Sequence, residues 1–110
     1  MNQKMLALIQ RAKQGHADAL NELGYLYFIG KDIPQDFAKA FHYYSQAAEK
    51  HLAIAQFNLG IMYEKGLHVT QNVESAIEWY EKAAKQGFAA AQFNLAKLYE
   101  TIPKFTLDAC

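Results

Sequence analysis

Apolar side chains along this chain recur at intervals of three and four, the spacing that places them on one face of an α-helix. Leu20, Leu23, Gly24 and Tyr27 form one such stripe, and Leu59, Gly60 and Tyr63 continue it further on. A second kind of stripe holds Phe37, Ala40, Phe41, Tyr44, Ala47 and Ala48, matched by Val73, Ala76, Ile77, Tyr80, Ala83 and Ala84. These are the inward faces of two alternating helices, A and B. The stretches between them, Gly30 to Asp36 and Gly66 to Asn72, open on a glycine suited to a left-handed helix stop. They close on Asp or Asn, suited to an N-cap. Ile33 and Val69 are expected to tuck these loops onto the core.

The stripes are copies of one unit. Leu23-Gly24 returns as Leu59-Gly60 and again as Leu95-Ala96, Tyr27 as Tyr63 and Tyr99, and Gly30 as Gly66, all at an offset of 36 residues. In the B segments Ala40 returns as Ala76, Tyr43-Tyr44 as Trp79-Tyr80, and Ala47-Ala48 as Ala83-Ala84. Self-similarity at this period marks stacked helix pairs, each burying its apolar face on the next. The expected fold is all-α: a right-handed α-solenoid of antiparallel pairs, about six helices in a single domain over residues 1–110. A lone B-type helix over 4–15 precedes repeat 1 (17–51) and repeat 2 (53–87); helix A of a partial third repeat covers 89–100, and 101–110 form a tail. Gly24 and Gly60 fall in mid-helix, where glycine costs about 1 kcal/mol against alanine. A close contact must offset that cost, and the ring of Tyr44 or Tyr80 is the natural partner.

Two segments carry a family likeness: Ala55-Gln56-Phe57-Asn58-Leu59-Gly60-Ile61-Met62-Tyr63-Glu64-Lys65-Gly66 and Ala76-Ile77-Glu78-Trp79-Tyr80-Glu81-Lys82-Ala83-Ala84-Lys85-Gln86-Gly87. In order they resemble the Sel1-like repeat, a relative of the tetratricopeptide repeat, with the pattern A-x-x-x-L-G-x-x-Y-x-x-G, a short loop, then K-A-x-x-W/Y-Y-x-x-A-A-x-x-G. The likeness runs from Leu8 to Glu100. It implies a protein-protein interaction module, an adaptor or scaffold, although fold alone does not fix function. Small stand-alone members serve as immunity proteins that neutralise bacterial toxins, which is the alternative role the resemblance implies. A cysteine-rich, secreted branch has disulfide-linked repeats; this chain has one cysteine, Cys110, and does not match it.

Composition narrows the partner. Lysine plus arginine equal aspartate plus glutamate at 11 each, spread along the chain, so no basic block invites nucleic acid. No apolar run reaches the roughly twenty residues of a membrane span or the form of a secretory signal. With a single cysteine the expected setting is a reducing cytoplasm. His16, His42, His51 and His68 lack the paired spacing of a metal site. Ser45 and Ser75 lie in no nucleophile-elbow motif, Cys110 has no helix to activate it, and no phosphate-cradling glycine motif occurs. The expectation is a non-enzyme with no catalytic residue, cofactor or metal. Glu78 with Lys82 and Glu81 with Lys85 read as ordinary i,i+4 surface pairs.

Resemblance to tetratricopeptide-like solenoids also implies that A helices line a concave side. The groove candidates are Asp18, Asn21, Tyr25 and Phe28 in repeat 1, Ile54, Phe57, Ile61 and Glu64 in repeat 2, and Phe93, Lys97 and Glu100 in the third. Phe57 and Phe93 are equally open to a core role. Tyr25, Phe28 and Ile61 lie off the core stripe, and an aromatic groove edged by both charge signs suits a peptide, a helix or a toxin domain of a partner protein. At the far end Leu95, Leu98 and Tyr99 have no helix B after them, since Ile102-Pro103 stops the helix. Phe105 falls where Ile33 and Val69 sit, and Asp108 where Asp36 and Asn72 sit. The face formed by Leu95, Leu98, Tyr99 and Phe105 is expected to meet a second copy or a partner.

Overall fold

In the computed structural model, which describes residues 2–101, the chain runs through α1 (Gln3–Lys13), α2 (Ala17–Ile29), α3 (Phe37–Glu49), α4 (Ala53–Lys65), α5 (Val73–Lys85) and α6 (Ala89–Thr101). No strand occurs among the described residues. Helices α2 and α3 pack as one pair and α4 and α5 as the next; α1 and α6 close the stack as half-repeats. The molecule measures 54 × 26 × 17 Å, a rod of stacked pairs and not a closed bundle.

Local chemistry sets each helix end. Asn2, Asp36 and Asn72 hold the starts of α1, α3 and α5: each side-chain oxygen accepts the backbone N–H three residues on, at 2.8, 3.1 and 3.0 Å. α2 and α4 stop at Gly30 (φ 74°) and Gly66 (φ 68°), left-handed turns that fit glycine. The two A–B loops then repeat their wiring. The N–H of Asp36 donates to the Tyr27 carbonyl and that of Asn72 to the Tyr63 carbonyl, both at 2.9 Å. The amides of Gln35 and Gln71 donate to the carbonyls of Phe28 and Glu64, both at 2.8 Å. Ile33 packs against the core as expected, while in the second loop Leu67 does so beside a half-buried Val69.

Pair packing turns on two contacts. A Cβ added at Gly24 would lie 2.7 Å from Cδ1 of Tyr44, and one at Gly60 would overlap the Tyr80 ring more deeply. The missing methyl lets each ring close onto the A helix, and Tyr44 and Tyr80 are 1 % and 0 % exposed. Ala40, Ala47, Ala76 and Ala83 are fully buried beside them, so the backbones approach closely along the whole pair. Burying a large side chain is worth about 2–3 kcal/mol, enough to outweigh glycine's helix penalty of about 1 kcal/mol.

Two surface expectations change. Neither Glu78–Lys82 nor Glu81–Lys85 closes to ion-pair distance; the one salt bridge among the described residues joins Arg11 to Asp18 at 2.6 Å. Lys82 instead lies over the Trp79 ring, 4.4 Å from its centroid, an interaction available one turn away on the same helix. At the end of the stack Leu98 is buried and Leu95 half-buried against α5, leaving Tyr99 (45 % exposed) as the open part of the expected apolar face. Phe105 and Asp108 lie outside the described residues.

Candidate functional site

The A helices α2, α4 and α6 bring side chains to one line along the stack. A hydrogen bond donated by Asn58 Nδ2 to Asn21 Oδ1, at 3.0 Å, ties α4 directly to α2. Two cavities open along this line. The first, about 150 Å³, is walled by Tyr25, Phe28, Tyr44, Asn58 and Ile61. The second, about 130 Å³, is walled by Ile61, Glu64, Lys65, Asn94 and Lys97. Ile61, Glu64, Asn94 and Lys97 are the 36-residue images of Tyr25, Phe28, Asn58 and Ile61. The groove is therefore one subsite written twice, and its chemistry changes between copies.

In the second copy the tyrosine hydroxyl is fully occupied. Tyr80 Oη donates to Glu64 Oε1 at 2.7 Å and accepts from Asn94 Nδ2 at 3.4 Å. Burial first, and the adjoining Glu64 carboxylate second, push the Tyr80 phenol well above its ordinary range. In the first copy Phe28 stands in the place of Glu64. Its ring leans on Phe37 and Tyr44, with centroids 5.3 and 6.3 Å away. Asn58 spends its amide on Asn21, and the Tyr44 hydroxyl has no hydrogen-bond partner among the described residues. Every sealed side-chain nitrogen or oxygen among those residues is paired, so this hydroxyl must face the open cavity whose wall Tyr44 forms. Burial, with a smaller contribution from nearby Tyr25, raises the Tyr44 phenol as well.

The expected groove residues divide in three. Tyr25, Phe28, Ile61, Glu64 and Lys97 wall the cavities, and Asn21 braces them from behind. Phe57 turns the other way, onto Tyr80 and Phe88 (5.7 and 5.2 Å), half-buried in the core. Asp18, Ile54, Phe93 and Glu100 are exposed and wall neither cavity. Arg11 holds the Asp18 carboxyl below its usual range through a hydrogen bond. Phe93 is 64 % exposed with Lys97 over its ring, at 5.4 Å. Asn58, Asn94, Lys65 and the two tyrosine hydroxyls join the site without having been expected. The 36-residue return of Asn58 as Asn94 carries the signal for the first two.

Larger clefts lie elsewhere. One of about 520 Å³ separates α1 from α2, where Met5 occupies the position that Phe41 fills one repeat later by packing on Tyr63 and His68. Another, about 460 Å³, lies between Trp79 and His51, where Gln86 bridges the His51 carbonyl and buried Gln56. Among the described residues no group of His, Cys, Asp or Glu is disposed to hold a metal ion, and no helix is long and apolar enough to cross a membrane.

The Sel1 repeat family model matches residues 17–52, 53–88 and 89–101. A Sel1 repeat protein from Oxalobacter formigenes is 40% identical with a TM-score of 0.83, over 87% of this chain and 40% of that one. The c5321 protective antigen of uropathogenic Escherichia coli, which displays an SLR fold, is 34% identical with a TM-score of 0.84, over 88% of this chain and 21% of that one. Cysteine-rich protein B of Helicobacter pylori is 28% identical with a TM-score of 0.78, over 86% of this chain and 73% of that one. The chain thus spans well under half the length of the first two. No curated protein is similar enough to count as a match.

Proposed function

Since this chain belongs to the Sel1 repeat family, whose members act generally in protein-protein interactions, we propose that it is a binding module that takes a peptide or helix of a partner in the groove of its A helices. The observation that carries this reading is the pair of open cavities repeated along one face, with Tyr25 half exposed at the rim of the first. Concave sites with apolar walls and a few aimed polar groups are what recognition uses. The same residues offer no activated nucleophile or acid-base pair, so binding, not turnover, is the work proposed. A cytoplasmic setting belongs to the same proposal and is supported by a composition with a single cysteine.

Selection of a displayed random-peptide library on the purified protein tests it. Peptides retained by the wild type are expected to be lost on Tyr25→Ala and Ile61→Ser, with the helical circular dichroism of both variants unchanged. Retention that ignores both substitutions would place recognition elsewhere on the molecule.

A further inference from the structure

The contrast between the two cavities says what each is built to receive. In repeat 2 the buried phenol already has its acceptor, the Glu64 carboxylate. In repeat 1 that acceptor is missing, and a nine-tenths buried tyrosine turns its unpaired hydroxyl toward a cavity of about 150 Å³ whose other walls are Tyr25, Phe28, Asn58 and Ile61. The hydroxyl is not sealed, so water can serve it, and a ligand acceptor that displaces that water makes its bond in the drier setting of the cavity. An apolar cavity of about this volume holds one benzene-sized ring. The fitting occupant is a ring with oxygen at its tip. The second cavity is lined by two lysines, Lys65 and Lys97, the latter with its ammonium over the Phe93 ring, and by one carboxylate already engaged by Tyr80. Neither lysine has a carboxylate at ion-pair distance among the described residues. That surplus of positive charge complements an anion.

We propose that the groove reads a partner segment bearing two marks one repeat apart: a tyrosine side chain in the first cavity and a carboxylate in the second. The assignment rests on the groove reading above and deepens it. Adjacent packed helices lie roughly 10 Å apart, and an extended chain advances about 3.3–3.6 Å per residue, so the two marks fall about three positions apart along the partner.

Capped tetrapeptide amides test this by titration into ¹⁵N-labelled protein: acetyl-Tyr-Ser-Ser-Glu, its reversed sequence, and analogues with Phe for Tyr or Gln for Glu. The better-bound orientation is expected to shift the side-chain amides of Asn58 and Asn94 and the backbone of Tyr25 and Lys97. Replacing Tyr by Phe in the peptide should weaken binding roughly two- to tenfold, and Tyr44→Phe in the protein should erase that difference. Replacing Glu by Gln should weaken it roughly two- to fivefold, and Lys97→Ala should erase that one. Tyr44→Phe removes a single unpaired oxygen; should it nonetheless disturb the fold, the peptide series on the wild type alone still decides. Equal affinities for all analogues, or shifts confined to residues outside the groove, would overturn the assignment. Peptides selected from the library in a Tyr25-dependent way, but lacking this pair of marks, would leave the groove reading standing while this one falls.

Discussion

Repeat 1 and repeat 2 share the contacts that seat helix B on helix A and differ in what touches one oxygen. Both seat a tyrosine ring on a mid-helix glycine, cap helix B with an Asx oxygen and wire the A–B loop through the same glutamine. The ring contact cannot vary much, because the helices would separate. The hydroxyl at the ring's edge is free of that constraint: Glu64 and Asn94 enclose it in one copy, and Phe28 leaves it facing a cavity in the other. A repeat fold can thus keep its packing fixed and alter recognition by changing the residue at one turn's distance from the ring.

The largest effect expected from this arrangement is one the two repeats share. Burial raises both phenols in the folded chain, whereas an unfolded tyrosine ionises near pH 10. Between pH 10 and the higher folded values the unfolded chain releases protons that the folded chain keeps, so it is the unfolded state that gains. The stabilisation is therefore whole below pH 10 and is lost as pH rises beyond it, by about 1.4 kcal/mol per pH unit for each tyrosine. Urea denaturation from pH 8 to 11.5 should show the decline, and the Tyr44→Phe/Tyr80→Phe double variant should flatten it. An unchanged slope in the double variant would mean that other groups govern alkaline unfolding.

The next effect separates the copies. Gly60→Ala places a methyl deeper in its tyrosine ring than Gly24→Ala does. Overpacking of this kind costs about 1–3 kcal/mol, from which alanine's better helix propensity recovers up to about 1 kcal/mol. Gly60→Ala is expected to lose about 2 kcal/mol and Gly24→Ala about 1 kcal/mol, read from urea midpoints at constant slope. The reverse order would show that the Tyr80 ring yields more easily than its closer seat implies.

Helices, loops and the glycine–tyrosine seats were legible in the sequence because each depends on residues a few positions apart or on an exact return after 36. The site was only partly legible. Tyr25, Phe28, Ile61, Glu64 and Lys97 could be placed on the groove from helical phase. Phase alone does not distinguish Phe57, which turns onto Phe88, from a groove residue, since that choice depends on the start of the following helix. Nor does it show that Leu98 finds cover against α5. The tyrosine hydroxyls escaped notice for another reason. A ring assigned to the core reads as apolar, and the fate of its oxygen is decided by side chains 14 and 16 positions away.

The smallest effect, a coupling between positions 28 and 44, is the sharpest test of the comparison. Tyr80→Phe strips Glu64 and Asn94 of their shared partner and is expected to cost about 1–1.5 kcal/mol, whereas Tyr44→Phe removes a hydroxyl that bonds to nothing described and should cost about zero. Phe28→Glu writes the repeat 2 residue into repeat 1. It gives up part of an aromatic contact with Phe37 and supplies Tyr44 with a carboxylate, so its own effect on stability is expected to be small, within about 1 kcal/mol. The informative quantity is the coupling: in the Phe28→Glu background Tyr44→Phe should now cost about 0.5–1 kcal/mol, where in the wild type it cost nothing. A coupling near zero would mean that a carboxylate at position 28 does not reach the ring's edge. The two sites would then differ in backbone placement as well as in the side chain at this position.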